Sequence, residues 1–232
     1  MSDICFIVGH GKSKSGGYDP GACANGAQEY RIAKEIAEYA QTYYNANFTE
    51  QADILNADAG LYLTDRIKKV NASDYDFIAE IHLNAGGGMG TETYYSHGSE
   101  DGKRYAAEIT CAIRDALGVV GRGAKTRLNA GGRDYFAIIR ETKPTAVLVE
   151  TVFIDTASDL AKVNTPDGQA ACGAAIAEAV ARVRGAKRKV NAKPSGTLYR
   201  VQVGAFRKRE NAEAMLRKIR DAGFADAFVK AE

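Results

Sequence analysis

The stretch Asp74-Tyr-Asp-Phe-Ile-Ala-Glu-Ile-His-Leu-Asn-Ala85 runs from an apolar segment directly into a histidine and an asparagine. Two further short runs, Ile4-Cys-Phe-Ile-Val8 and Ala146-Val-Leu-Val149, are similarly apolar. Near-continuous apolar runs of this length are typical of parallel strands that helices cover on both faces. The three runs therefore predict buried strands near the centre of a sheet.

Segments with helical spacing separate these runs. Between residues 29 and 43 the apolar set includes Ile32, Ile36 and Tyr43, which recur at helical intervals. Similar spacing predicts further helices at residues 61–70, 104–117 and 169–183. Strands that alternate with helices predict an α/β fold, here a three-layer α/β/α arrangement with a mostly parallel central sheet.

Charge divides the chain unevenly. The 232 residues are 45% hydrophobic, which is enough for one domain with a buried core and a small appendage. Residues 1–185 carry 19 Lys/Arg against 24 Asp/Glu, and residues 186–232 carry 12 against 5, so balances of −5 and +7 make up the net charge of +2. Such asymmetry indicates two units with different roles. We expect a main domain at 1–185, a basic linker at 186–196 and a small β-α-β unit at 197–232.

Simple features of the chain exclude several classes of protein. The four cysteines are scattered without a Cys-x-x-Cys pair, so neither a disulfide framework nor a cysteine zinc site is expected. No apolar run approaches the roughly 20 residues that span a bilayer, and we expect no membrane insertion. Met1-Ser-Asp3 does not begin a signal peptide, so we expect the chain to be made in the cytoplasm. We also expect no nucleic-acid partner.

Polar residues follow the three predicted strands where each strand ends. His10 comes after the first strand, His82 closes the second and Glu150 closes the third. Because the carboxyl ends of parallel strands share one edge of a sheet, we expect these side chains to converge there. Glu29 is spaced to lie on the core face of the first helix, where a carboxylate is costly without a cation. Two histidines and a carboxylate are typical of a catalytic zinc site, which leaves Glu150 as the proton-transfer group.

These residues also have structural interpretations. A single histidine at a strand end is more often hydrogen-bonded than metal-bound, and the helix dipole alone favours Glu29 at the start of a helix. Glu80 lies on the same strand face as His82, and it either orients this histidine or pairs with a nearby basic residue. Gly11-Lys-Ser13 is not a phosphate loop, because Phe6 stands where that motif requires a glycine.

Five pieces of the sequence, spread over residues 4–185, match one known family. They are Val8-Gly-His-Gly11, Asn25-Gly26 leading to Glu29, the stretch from Asp74 to Ala85, Gly90-Thr-Glu-Thr-Tyr-Tyr95, and Lys143-Pro-Thr-Ala-Val-Leu-Val-Glu-Thr-Val-Phe-Ile154. As a set they resemble the zinc-dependent N-acetylmuramoyl-L-alanine amidases of the type called Amidase_3. The resemblance implies that His10, Glu29 and His82 bind Zn²⁺, that Glu150 is the catalytic glutamate, and that residues 1–185 are the catalytic domain.

The resemblance also implies a reaction and a substrate. The amide bond between the lactyl group of N-acetylmuramic acid and L-alanine in peptidoglycan would be hydrolysed, with Glu150 moving a proton from water to the leaving amine. Asn84, Arg127 and Arg133 are candidates to contact this substrate. Two rival functions stay open, namely a zinc peptidase that acts on stem peptides and a cell-wall-binding protein that has lost activity.

Details of the sequence resemble phage endolysins more than bacterial septal amidases. Glu-Ile-His-Leu-Asn-Ala stands at residues 80–85 where Ser-Ile-His-Ala-Asn-Ala is commoner, and Arg122-Gly-Ala-Lys125 and the absence of a leader point the same way. An endolysin is made in the cytoplasm and acts on the cell wall after holin-type release.

The tail resembles the first half of a SPOR domain, a fold that binds peptidoglycan glycan strands. Within Tyr199-Arg-Val-Gln-Val-Gly-Ala-Phe206 the residues alternate as in a strand, helical spacing follows at 210–222, and residues 227–229 predict a second strand. Only one β-α-β half is present, and units of this size rarely fold alone. We expect two copies to form a homodimer through these tails, the alternatives being a tail that packs on its own catalytic domain or stays mobile.

Overall fold

The structure of the chain, a computed structural model, describes residues 2–189, 203–224 and 227–229. Contacts between residues divide it into a large unit, residues 1–195, and a small unit, residues 196–232. The strands are β1 (Ile4–Val8), β2 (Gly11–Lys12), β3 (Tyr18–Asp19), β4 (Cys23–Ala24), β5 (Ala27–Gln28), β6 (Ala52–Leu55), β7 (Phe77–Asn84), β8 (Thr91–Tyr95), β9 (Gly121–Lys125) and β10 (Thr145–Phe153). The helices are α1 (Glu29–Asn47), α2 (Leu63–Asn71), α3 (Glu100–Leu117), α4 (Ala137–Glu141), α5 (Ala157–Val163), α6 (Pro166–Arg184) and α7 (Arg209–Asp221).

A six-stranded sheet forms the centre of the large unit, in the order β6-β1-β7-β10-β8-β9. Four of its five strand pairs are parallel, and β10 and β8 run antiparallel. The three strands predicted from their apolar runs, β1, β7 and β10, are neighbours in the middle of this sheet. The predicted α/β fold with a mostly parallel sheet is therefore confirmed.

Alternate residues of the central strands face two separate cores. Ile4, Phe6 and Val8 of β1 belong to the larger core, which also contains residues of α1, α3 and α6. Cys5 and Ile7 belong to the smaller core, which α2 and α4 complete. Helices thus cover both faces of the sheet, and this explains why β1 is apolar at every position.

Three strands of the sheet were not predicted, namely β6 and β9 at its two edges and β8 inside it. β8 buries Thr91, Glu92 and Thr93, so its sequence lacks an apolar run although the strand is internal. β9 lies at the edge of the sheet with three of its five residues exposed, and its sequence, Gly-Arg-Gly-Ala-Lys, has no alternation. Edge strands and strands with buried polar residues do not carry the pattern that marks a buried strand.

Side-chain caps fix where two long helices begin. Ser99 accepts a hydrogen bond from the backbone nitrogen of Gly102 at the start of α3. Thr165 accepts one from Gly168 at the start of α6, and Pro166 occupies the first turn. Both helices therefore begin a few residues before the predicted starts at 104 and 169, because their first turns are polar and lie outside the apolar spacing.

The chain that follows α6 stays attached to the large unit for several residues. The backbone nitrogen of Thr49 donates to Lys187, and that of Lys189 donates to Asn47. The guanidinium of Arg188 lies 5.0 Å from the centre of the Phe48 ring. The first part of the predicted linker is therefore held in place, and residues 190–196 lie outside the described residues.

The small unit contains one helix, α7, where helical spacing predicted it. The first predicted strand, at 198–203, lies outside the described residues except for Val203. Residues 227–229 are described and do not form a strand. A strand requires a hydrogen-bonded neighbour, and the neighbour predicted for this segment is the part of the tail that is not described.

The structure also bears on the expectations about disulfides and membrane insertion. Cys5, Cys23, Cys111 and Cys172 are all free thiols. Within the described ranges, no helix combines the length and the apolar character needed to cross a membrane.

Candidate active site

A cavity of about 500 Å³ opens at the carboxyl ends of the three central strands. Its floor is formed by side chains of β7 and β10, and its walls by α2, α4 and the segment that follows β1. The cavity lies on the sheet face that carries the smaller core, because Glu80, His82 and Asn84 alternate with the residues that enter the larger core. The residues that line it and carry ionisable groups are His10, Lys12, Asp19, Glu29, Tyr62, Arg66, Glu80, His82 and Glu150.

Three side chains converge in this cavity as the sequence predicted. Nδ1 of His82 lies 2.8 Å from Oε1 of Glu29, and Nε2 of His10 lies 3.2 Å from Oε2 of the same carboxylate. One ligand atom from each of the three residues lies within 4.8 Å of the others. Ligand atoms on a tetrahedral zinc ion, each about 2.1 Å from the metal, lie at comparable separations from one another. Two imidazole nitrogens and one carboxylate therefore fit a zinc ion.

Each histidine presents its second ring nitrogen to another carboxylate. Nδ1 of His10 lies 2.9 Å from Oδ2 of Asp19, and Nε2 of His82 lies 3.3 Å from Oε2 of Glu80. A carboxylate behind a metal-binding histidine fixes the ring orientation and the tautomer. Glu80 fills both roles left open for it, because its other oxygen, Oε1, accepts a hydrogen bond from Nε of Arg66 at 2.9 Å.

The electrostatics of this cluster follow from these contacts. Burial raises the pKa of Glu29, but hydrogen bonds with His10 and His82 outweigh burial and hold the pKa well below its usual range. Burial lowers the pKa of His82, but Glu29 and Glu80 reverse this effect and raise the pKa well above its usual value. Glu29 and Glu80 thus make the position between the two histidine rings and Glu29 favourable for a positive charge.

The backbone at His10 has an uncommon conformation that two buried side chains hold. Its φ angle is 60°, in the left-handed region that residues with a Cβ rarely adopt. Its carbonyl accepts hydrogen bonds from Nδ2 of Asn56 at 2.8 Å and from Nη1 of Arg66 at 2.9 Å. Such strain persists only where surrounding contacts over-determine it. Asn56 and Arg66 therefore position the first histidine, and no periodic pattern in the sequence marks either of them.

Two glycines allow the close approach of the three side chains. A Cβ on Gly9 would lie 2.3 Å from Cε1 of His82, closer than any real contact. A Cβ on Gly21 would lie 2.6 Å from Oε2 of Glu29, and the φ of Gly21 is +69°. The arrangement of the donors thus depends on the absence of a side chain at both positions.

Glu150 lies beside the three donors on β10, in register with His82 of β7. Among the described residues, its buried Oε2 atom has no hydrogen-bond partner. Burial raises the pKa of Glu150 to about 7, although the nearby His82 lowers it. A carboxyl group that titrates near neutrality and has a free oxygen is suited to accept and return a proton.

Glu92 of β8 is in register with Glu150 on the other side, and its surroundings differ. Nε of Arg122 and Nζ of Lys125 each lie 2.5 Å from its Oε2, and the Tyr94 hydroxyl donates to Oε1 at 2.8 Å. Burial raises the pKa of Glu92, but hydrogen bonds from Lys125 and Arg122 lower it to about 2. Glu92 was not identified from the sequence, because a glutamate between two threonines resembles a solvent-facing residue.

The three predicted substrate contacts have different positions. Asn84 lines the cavity, and its Nδ2 donates to Oε1 of Glu92 at 2.9 Å. Arg127 and Arg133 are not among the described residues that line the cavity. The guanidinium of Arg127 stacks 3.8 Å from the ring centre of Tyr135, and Arg133 is exposed in the same loop. Substrate contact by all three residues stays a prediction.

Two family models match this chain. The family model described as N-acetylmuramoyl-L-alanine amidase, Amidase_3, matches residues 4–182. The model of the SPOR domain matches residues 174–231. The two matches overlap within α6, where Ile176, Ala177 and Val180 belong to the larger core of the sheet unit. The overlapping part of α6 therefore packs as part of the large unit.

Individual relatives agree with the family match. The chain is 32% identical over 231 residues to the sporulation-specific N-acetylmuramoyl-L-alanine amidase of Bacillus subtilis. The aligned region covers 97% of this chain and 83% of that protein. The chain is 29% identical over 204 residues to the endolysin of Bacillus phage SPP1, covering 82% of this chain and 69% of the endolysin. The crystal structure of an N-acetylmuramoyl-L-alanine amidase from Clostridium difficile 630 superposes with a TM-score of 0.69 at 25% identity, over 79% of this chain and 97% of that one. With the family match over most of its length, the chain belongs to the N-acetylmuramoyl-L-alanine amidases, enzymes that cleave the bond between N-acetylmuramic acid and L-alanine in peptidoglycan.

Proposed function

We propose that this amidase depends on zinc, with His10, Glu29 and His82 as its protein ligands and Glu150 as the group that transfers the proton. The observation that carries this proposal is the meeting of the two histidines on one buried carboxylate, beside a glutamate that has a free oxygen. Carboxylates behind both histidines support it further, because they are typical of zinc sites and are not required for a simple hydrogen-bonded cluster.

Each residue then has a part in hydrolysis. A bound zinc ion supplies a Lewis acid that polarises the carbonyl of the scissile amide and acidifies a water molecule. Glu150 accepts a proton from the attacking water on its free Oε2 atom. As the bond between the lactyl carbonyl and the alanine nitrogen breaks, Glu150 returns this proton to the nitrogen, which leaves as a free amine. Burial raises the pKa of Glu150, to about 7 in the metal-free chain, which favours a carboxyl group that accepts and returns a proton.

Other residues hold the reacting groups in place. Asp19 and Glu80 fix the two histidine rings, and Arg66 and Asn56 hold the backbone of His10. Asn84 is positioned by Glu92 and lines the cavity, so it remains our candidate to contact the substrate near the cleaved bond. Arg127 and Arg133 are proposed to contact more distant parts of the wall polymer, since their loop leads into Phe136, which lines the cavity.

Metal content tests the assignment of the ligands. In His82→Ala, bound zinc measured by elemental analysis should fall to a small fraction of the wild-type value, because one of three protein ligands is removed. His97→Ala is the matched control, since His97 is exposed and belongs to a different loop. Full zinc stoichiometry in His82→Ala would contradict the proposed site.

Product analysis separates the amidase from its rivals. Purified peptidoglycan digested by the wild-type protein should gain alanine amino termini and no new reducing sugar ends. A zinc peptidase would instead leave muramoyl-alanine linkages intact and release cut stem peptides. A cell-wall-binding protein without activity would release neither.

The tail is proposed to form a homodimer. α7 has half-buried apolar residues on one face, and Phe206, Phe224 and Phe228 are exposed. Exposed apolar side chains on a unit too small to fold alone favour association with a second copy. Light scattering should give a dimer for the full chain and a monomer for a version that ends at Lys189. Two monomers at tens of micromolar would contradict the dimer.

The finer assignment to a phage endolysin stays a prediction. The relatives include both a sporulation amidase of a bacterium and the endolysin of a phage, at 32% and 29% identity. Lysis from within by holin-type release is therefore proposed only as one setting for the enzyme.

A further inference from the structure

Lys12 holds a distinctive position in the active-site cavity. It belongs to β2, two residues after His10, so the two Cα atoms are no more than about 7 Å apart. Lys12 is half-buried and lines the same cavity as the zinc-binding residues. It also lines a second depression of about 240 Å³ beside this cavity, together with glycines of the β2–β3 hairpin and Tyr18.

The charges around the cavity leave Lys12 available. Among the lining residues, the carboxylates of Asp19, Glu29 and Glu80 are committed to histidines, and the buried Oε2 of Glu150, the fourth lining carboxylate, has no partner among the described residues, Lys12 included. The other lining cation, Arg66, is committed to Glu80 and to the backbone carbonyls of His10 and Leu61. Across the part of the chain that the structure describes, Lys12 forms neither a side-chain hydrogen bond nor an ion pair.

A half-buried ammonium group without a partner is suited to bind an anion that enters with the substrate. The proposed substrate offers such an anion. The D-glutamate that follows alanine in the stem peptide is linked through its side chain, so its α-carboxyl group is either free or amidated. Its Cα lies about 3.8 Å from the alanine Cα, and the carboxyl carbon is one bond further. The carboxylate is therefore close to the cleaved bond, which the proposed function places in the same cavity as Lys12.

We propose that Lys12 binds the free α-carboxylate of the second stem-peptide residue and makes the enzyme prefer acidic over amidated stem peptides. This inference rests on the proposed cleavage of the muramoyl-alanine bond and adds the substrate class to it. The hairpin carries Lys12 between the two depressions, so a stem peptide that leaves the zinc site on this side passes the ammonium group. The second depression, with the half-exposed ring of Tyr18, is available to the rest of the peptide.

Paired substrates test the proposal. N-acetylmuramoyl-L-alanyl-D-glutamate and its α-amide differ only in the group that Lys12 is proposed to recognise. The wild-type ratio of kcat/KM, acid over amide, should exceed one and should fall about tenfold in Lys12→Gln, mainly through a higher KM. Lys12→Arg should restore most of the preference. Lys14→Gln is the matched control, because Lys14 is exposed on the same hairpin and lines neither depression.

Binding provides a second readout that does not depend on turnover. Calorimetry with the Glu150→Gln protein and the two dipeptide compounds should show tighter binding of the acid, and addition of Lys12→Gln should remove the difference. Equal affinities for acid and amide in Glu150→Gln, or an unchanged acid-to-amide ratio in Lys12→Gln, would overturn the role of Lys12. Failure of the wild-type protein to cleave either compound while it binds the acid more tightly would count against the proposed function and leave the recognition of the carboxylate supported.

Discussion

Glu150 and Glu92 face each other on neighbouring strands, and they show how differently two buried carboxylates behave. They are register partners on β10 and β8; the whole of Glu92 is buried, and one carboxylate oxygen of Glu150, Oε2, is buried. Glu150 has one oxygen without a partner among the described residues and a pKa raised to about 7. Glu92 is bound by Arg122, Lys125, Tyr94 and Asn84, and its pKa is lowered to about 2.

The difference shows that hydrogen-bond donors decide whether the effect of burial on the pKa of a glutamate here persists or is reversed. Burial raises the pKa of both groups. Two cations reverse this effect at Glu92, and nothing reverses it at Glu150. Glu150 is thus suited to the proton transfer proposed for it, while Glu92 joins β8 to β9 through Arg122 and Lys125.

The largest expected effect separates the two residues by activity. Glu150→Gln should lower the rate of amide hydrolysis by about 10²-fold or more, because the proton-transfer group is lost. Zinc content and the folded structure should be retained, since Gln has nearly the same shape. Release of alanine amino termini from peptidoglycan measures the rate. Activity near the wild-type value with zinc retained would assign the proton transfer to another residue.

Glu92→Gln, in contrast, should lower the stability of the fold more than the rate of hydrolysis. Removal of a buried carboxylate that two cations share should lower the free energy of unfolding by about 3 kcal/mol at pH 7. Because the pKa of Glu92 is lowered in the folded state, its contribution is complete above about pH 5 and is lost as the pH falls towards 2. Urea unfolding at several pH values should therefore show that the unfolding free energies of the wild type and of Glu92→Gln become equal at acid pH. A difference that stays constant from pH 7 to 3 would contradict this origin.

Glu150 should show the opposite dependence on pH in the zinc-free protein. Its folded pKa of about 7 lies above the ordinary 4.5, so the folded state holds this proton more tightly than the unfolded state. Stability is therefore lost as the pH rises from about 4.5 through 7. Relative to wild type, Glu150→Gln should gain about 2 kcal/mol in free energy of unfolding between pH 5 and 8. No gain over this range would show that water or a neighbouring group solvates the carboxylate.

The smallest effect concerns the cations around Glu92. Arg122→Met removes one of two cations whose side chains are about a third exposed, so solvent screens part of the loss. The free energy of unfolding should fall by about 1 kcal/mol. Arg104→Met, at an exposed pair with Asp101, is the control and should change stability by less than about 0.5 kcal/mol. Equal effects of the two substitutions would mean that Arg122 does not stabilise Glu92.

Sequence patterns predicted the centre of the fold and the residues proposed to carry the chemistry. β1, β7 and β10 are buried on both faces, so their apolar runs are visible without structural knowledge. His10, His82 and Glu150 follow from the same strands, because a polar residue at the end of an apolar strand stands out. Glu29 was identified because a carboxylate at a core-facing helical position requires a partner.

The residues that position these groups were not predicted, because their contacts depend on loops. Asn56 and Arg66 hold the backbone of His10 from positions more than 40 residues away in the sequence. Asp19 reaches His10 only because the β2–β3 hairpin folds back. Hydrophobic spacing carries no information on such contacts, since none of these residues is apolar and none repeats at a helical or strand interval.

The close packing of Gly9 against His82 offers a way to recognise relatives that have lost the enzyme's activity. One added carbon at this position would collide with the imidazole ring, so alanine there would displace His82, a proposed zinc ligand, even in a chain whose histidines and glutamates are all present. Surveys of related genomes that count only the ligand residues would classify such a chain as an active hydrolase. A screen that also requires glycine at positions 9 and 21 would separate working enzymes from descendants that retain the fold as a passive wall-binding module.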